Sequence, residues 1–358
     1  MGPGPIAGGR QGVNTGGPVL MQERRWGRTL ATSHQHGRST TWGIQDASQV
    51  RCRQVGQNTG DRNTIMRNLK PWTRCILLVA LPVLLGACSS SRYSVRHVMV
   101  PLLDNARQAA YLSNDIRTFG DAAPGNLFLL EGMARTDPDN ADIRLNAAML
   151  YFFYAFAYCE QDDPDYADLL YNKGLDHAWY VLAGGTDLPA DRDIRFDAFE
   201  TLVASVEKED VPAAVWVASC WSQDIALNLD KTSVMRDIPK VQALVDRIVA
   251  LDGAFFEGLP YVLQGSLHAF KPPMMGGDPE ASAASFERAF AIGGNSFWLS
   301  RFFYARYYTY RMMDAELCAE TLQGILDAQP VPDDPYLLLN TIAREKSLQL
   351  MVEIDDLF

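Results

Sequence analysis

The sequence is poor in the residue types that most often do chemistry at a protein site. It has five His and six Cys in 358 residues. From Cys88 onward only His97, His177 and His268 remain, far apart, with no HExxH and no closely spaced Cys pair, so no resident metal and no cofactor are expected. GxSxG, GxxxxGK[ST] and a Cys–His signature are also missing, and nothing in the chain specifies a catalyst. Asp162, Asp163 and Asp165 are close together, but they precede an apolar helical stretch, where helix-start carboxylates are expected. Basic residues are scarce beyond residue 87: residues 88–358 hold 21 Lys and Arg against 40 Asp and Glu, a net of −19 within a chain total of −11. That deficit argues against a nucleic-acid partner, since phosphate binding draws its affinity from clustered cations. Long apolar runs are lacking too. The run CILLVALPVLLGA from Cys75 to Ala87 is thirteen residues long, short of the ~20 that span a bilayer as a helix.

What is present at the front is a targeting pattern. Residues 1–87 carry 11 basic and 3 acidic residues, a net of +8. From Met66 a basic stretch (Arg67, Lys70, Arg74) leads into the short apolar run and then small residues, the layout of a signal peptide. Leu85-Gly86-Ala87-Cys88 resembles the lipobox of bacterial lipoproteins, and Ser89-Ser90-Ser91 resembles the tether that follows it. By that resemblance Cys88 is acylated and anchors the chain, with Ser89 fitting outer-membrane sorting. The first 20 residues hold seven Gly and three Pro, and residues 1–65 show no apolar period, so that segment is expected to be a disordered or mis-called upstream extension. The expected organisation is 1–65 extension, 66–87 signal peptide, 88–99 lipidated tether and 100–358 one helical domain.

The body reads as all-α. Apolar stretches of helical length recur, among them Ala141 to Glu160, Val211 to Leu229, Phe255 to Phe270 and Tyr336 to Ile354, and no run alternates with period two. Asp137-Pro138, Asp163-Pro164, Asp278-Pro279 and Asp334-Pro335 read as helix starts, because Asp accepts first-turn amides and Pro lacks only a donor that would go unpaired. The run AAMLYFFYAFAYC (147–159) is apolar all round, which buries its helix on every side. The first two Asp-Pro starts are 26 residues apart, so a regular 34-residue tetratricopeptide period is not kept. Irregular tetratricopeptide-like hairpins packed into one compact domain are expected. Cys159 and Cys220 lie in apolar helical windows, where two buried thiols or a disulfide both fit.

The segment YVLQGSLHAFKPPMMGGDPEASAASFERAF (261–290) is the most individual part of the chain. Together with AAMLYFFYAFAY (147–158), VWVASCWSQDIALN (215–228), IPKVQALVDRIVALD (238–252), ARYY (305–308) and the closing DDLF (355–358), it resembles the T component of tripartite ATP-independent periplasmic (TRAP) transporters, the TatT family. The likeness runs from about Pro101 to Phe358. It implies a lipid-anchored protein of the bacterial envelope, facing the periplasm from the outer membrane, homotrimeric and without enzymatic activity. Its implied partner is the periplasmic solute-binding protein, beside which it holds or passes a small organic ligand, carboxylate or apolar, through a helical cleft. A lipoprotein scaffold for outer-membrane or pilus assembly is the alternative.

The ligand-binding candidates are Trp216, Trp221, Tyr261, Gly265, His268, Lys271, Gly276, Gly277, Arg306 and Tyr307. Tyr261, Gly265 and His268 fall at spacings of four and three, on one helical face, with Lys271 at its end. Gly276 and Gly277 suit a turn or a close backbone approach. Arg306, set among aromatic residues, could hold a ligand carboxylate or pair with an acidic neighbour. Trp216 and Trp221 lie about 140° apart round a helix, and each fits a core as readily as a site.

Overall fold

Helix-forming stretches separated by capped turns build the molecule. A computed structural model describes residues 91–271, 276–331 and 333–358. The extension, the signal peptide and Cys88 lie outside these. The α-helices of five residues or more are α1 (Val100–Tyr111), α2 (Ile116–Thr136), α3 (Ala141–Tyr154), α4 (Pro164–Gly185), α5 (Phe196–Val203), α6 (Val211–Leu227), α7 (Ile238–Asp252), α8 (Phe255–Phe270), α9 (Pro279–Gly293), α10 (Leu299–Phe303), α11 (Ala315–Asp327) and α12 (Leu337–Leu357). The fold is all-α, with no strand among the described residues.

Neighbours in sequence pack as hairpins: α2 on α3, α3 on α4, α7 on α8, α8 on α9 and α11 on α12. α6 skips over the short α5 to pack on α4, and α12 returns to touch α1 and α2. That return closes the stack on itself, so the body is one compact domain and not an open solenoid. The reason lies in α3 and α6, whose apolar residues surround the whole helix: Ile143, Ala147, Phe152 and Phe156 on α3 and its extension, and Val211, Val215, Cys220 and Ile225 on α6, are all buried. A helix with no polar face needs neighbours on every side.

The Asp-Pro pairs divide. Asp163 accepts from the Tyr166 amide and Asp278 from the Glu280 and Ala281 amides, as caps. Asp137 does not cap: it follows α2 and is fully buried, where Arg96 grips it at 2.5 and 2.8 Å, and Asn140 caps α3 instead. Asp334 accepts from the Tyr336 amide and from Asn340, bracing the turn before α12. Arg96 also explains why the segment read as a tether is helical from Ser91: a π turn, Val95–Met99, runs into α1, with Val95 and Val100 buried and the Arg96–Asp137 pair holding it to the body.

The expected helix 255–270 begins with a reversal. Phe256, Glu257 and Gly258 have φ of 47, 57 and 82°, left-handed values that only glycine takes readily, and the regular helix starts at Leu259 with Pro260 in its first turn. Phe256 packs on the rings of Trp216, Phe297 and Tyr336, while the Tyr336 hydroxyl donates to Glu257 Oε1 at 2.9 Å. These contacts offset a conformation that costs on the order of 1–3 kcal/mol per non-glycine residue.

Candidate functional site

Two π turns face each other across the fold. In a π turn the backbone bonds run i→i+5, one residue more than in an α-helix, and such turns are frequent at functional sites. One follows α3 (Ala155–Cys159) and delivers Glu160; the other follows α10 (Tyr304–Thr309) and carries Arg306 and Tyr307. Arg306 donates to Glu160 from both terminal nitrogens, at 2.9 and 3.3 Å, across 146 residues of sequence. Burial opposes the Arg306 charge, but the Glu160 carboxylate more than restores it, so its pKa is raised.

This ion pair forms part of the floor of a cleft of about 710 Å³ between α6, α8, α10–α11 and α12. Leu227, Leu229, Phe270, Phe302, Met313 and Leu350 give it an apolar wall. From α12 come Lys346, Gln349, Leu350, Glu353 and Leu357, spaced three, one, three and four apart and hence on one helical face. Lys346 is nearly buried, and its ammonium lies 5.6 Å from the centre of the Phe156 ring. Desolvation lowers its pKa. Tyr307 donates to Gln223 at 3.2 Å and stands between the cleft and a narrow apolar pocket of about 40 Å³, bordered by Leu259, Val262 and Leu267. Ala226 and Phe270 border both spaces as well, so the pocket continues the cleft inward. Cys318 faces the cleft, but burial pushes its thiol up, away from the reactive thiolate.

Of the residues singled out in the sequence, Arg306 and Tyr307 line this cleft and the others do not. Trp216 and Trp221 are core: Trp216 packs on Phe152, Phe153 and Phe256, and Trp221 on Trp179 and Phe199. Tyr261, Gly265 and His268 occupy the face of α8 turned from the pocket, which takes Leu259, Val262, Leu263 and Ser266 instead. At Gly265 an added Cβ would meet the Phe286 ring at 2.7 Å, so this glycine lets α9 approach, and Ser282 donates to its carbonyl at 2.7 Å. Tyr261 lies against Gly253. His268 has its Nδ1 buried without a partner, and burial lowers its pKa. Lys271 is buried and donates to Gln242 at 2.8 Å. Gly276, at φ 81°, serves the turn, and Gly277 precedes the Asp278 cap. Cys159, Cys220 and Cys318 are free, buried thiols.

Sequence reasoning missed Lys346, Gln349 and Glu160. The signal for the first two was available in the polar stripe of α12, which alternates with apolar residues and so reads as an ordinary solvated face. Among the described residues, no group of three or more His, Cys, Asp or Glu is placed to hold a metal ion, and no helix is long and apolar enough to cross a membrane.

No curated protein matches the chain. The sequence model of one family, described as TRAP transporter T-component, matches residues 113–358, which include every element from α2 to α12 and all of the cleft. The chain therefore belongs to the TRAP transporter T-component family, an accessory part of that envelope transport system.

Proposed function

We propose that the protein works beside the periplasmic solute-binding protein of a TRAP transporter and holds or passes a small organic ligand in the α6–α8–α12 cleft. One observation carries this reading: a cleft of about 710 Å³ with an apolar wall and a charged floor falls within the usual size of small-molecule sites and inside the family match. Its volume is far beyond what a bound water needs, and charged side chains share its lining with the apolar wall, as they do where a ligand must be oriented. In this reading Cys88 carries the lipid anchor, the body faces the periplasm from the outer membrane, and the working unit is a homotrimer. Phe128 on α2 (82% exposed) and Val352 on α12 (83% exposed) are large apolar side chains available for contacts between copies.

The test is retention of the solute-binding protein encoded with the same transporter on immobilised protein, with native mass spectrometry of the eluate for a small bound molecule. Co-elution of the binding protein is expected. Recovery of outer-membrane or pilus assembly proteins in its place would support the scaffold reading and defeat this one.

A further inference from the structure

The cleft is lined by three basic side chains, Arg306, Arg311 and Lys346, and by two acidic ones, Glu160 and Glu353. Glu160 gives both carboxylate oxygens to Arg306. Lys346, 8% exposed, then has no hydrogen bond or ion pair among the described residues. Arg311 Nε and Gln349 Oε1 are buried without a hydrogen-bond partner, and both side chains line the same cleft. A polar group with little access to water and no hydrogen bond is costly, and a ligand group entering the cleft would supply the missing partner. The rest of the cavity has the opposite character. Leu227, Phe270 and Leu350 line it, and past Tyr307 lies the mostly apolar pocket of about 40 Å³, room for no more than the end of a chain.

We infer that this cleft binds a monoanionic amphiphile, a single carboxylate on a linear apolar chain, with its head at Lys346 and Arg311 and its tail reaching toward the pocket behind Tyr307. Lys346 and Arg311 Nε can donate to the carboxylate, and the Gln349 amide can turn to present its Nε2. One charge is favoured over two. Arg306 is committed to Glu160, and Glu353 at the cleft would repel a second carboxylate. A compact dicarboxylate would also leave the apolar wall unfilled, and a cationic amphiphile would face Lys346. The inference rests on the cleft being the ligand site of the proposed function, but it is independent of which protein docks outside.

The experiment is calorimetric titration of the full chain carrying Cys88→Ser with dodecanoate, dodecanol, dodecylamine and succinate. Dodecanoate is expected to bind at least about tenfold more tightly than dodecanol, with no binding of dodecylamine or succinate. Lys346→Met should lower dodecanoate affinity about tenfold and leave dodecanol unchanged, while Lys346→Arg retains dodecanoate. Ala226→Phe, which fills the junction with the inner pocket, should weaken dodecanoate more than hexanoate. Absence of dodecanoate binding, equal affinity for the acid and the alcohol, equal loss of both in Lys346→Met, or comparable binding of succinate would each overturn the inference. Dodecanoate binding together with no capture of a solute-binding protein would sink the proposed partner and leave this ligand class standing.

Discussion

At the scale of single residues, Arg306 and Lys346 show how differently two nearby cations can be used. Arg306 is matched in position by a bidentate carboxylate, so it is held by the fold and its removal would strand Glu160, which is 8% exposed, without its partner. Lys346 has no hydrogen bond or ion pair among the described residues, and the charges of Glu160 and Glu353 offset its desolvation only in part. The consequence for stability can be signed. Its folded pKa lies below the ordinary lysine value, so the unfolded chain binds the proton more tightly; the penalty is present in full at neutral pH and is lost as pH rises through the lowered pKa toward about 10.4. Lys346→Met should therefore leave the melting temperature unchanged or raise it by roughly 2–4 °C at pH 7, with the difference from wild type closing near pH 10. Thermal denaturation at the two pH values checks this. A residue whose removal lowered the melting temperature would be serving the fold.

At the scale of elements, much of the fold was legible and much of the site was not. Helix-length apolar stretches, the all-round apolar α3 and two of the four Asp-Pro caps follow from local rules, because periodicity and capping act within a few residues. The Asp137 assignment failed because a short side chain before Pro can serve a distant partner, here Arg96, as well as its own helix. The cleft was illegible for a related reason: its Arg306–Glu160 pair is set by two π turns, and a π turn leaves no mark in a 3.6-residue pattern. The face of α8 was misjudged because Tyr261, Gly265 and His268 are polar or unusual, whereas the cavity uses the bland face with Leu259 and Val262. Gly265 belongs to packing. Gly265→Ala should push the Phe286 ring, loosen the α8–α9 contact and destabilise the fold by about 1–3 kcal/mol, read as a lower urea midpoint, with the dodecanoate-to-dodecanol affinity ratio unchanged at a temperature where the variant is folded. A changed ratio would place Gly265 at the site.

At the scale of the molecule, charge and attachment must come from different parts. Residues 88–358 carry a net charge of −19, which keeps the body away from anionic headgroups, and no helix among the described residues could span a bilayer. If the protein is to stay at a membrane, the Leu85-Gly86-Ala87-Cys88 pattern is the feature able to hold it there, at about 0.8 kcal/mol for each buried methylene of an acyl chain. The described body begins at Ser91, three residues beyond Cys88, and Arg96 ties this first helical turn to Asp137 at once. A lipid on Cys88 would thus hold the domain close to the bilayer surface, on a link of a few residues and not on a long flexible stalk, and would limit how far the cleft can turn to meet a soluble partner. Cell fractionation of Cys88→Ser should move the protein from the membrane pellet to the soluble periplasmic fraction, while its circular dichroism stays helical. Retention of that variant in the pellet after a carbonate wash would mean that the protein is held by something other than an acyl chain. Lengthening the link by ten Gly and Ser residues after Ser91 should leave the protein in the pellet, and would change capture of the solute-binding protein only if the short link sets the orientation of the cleft.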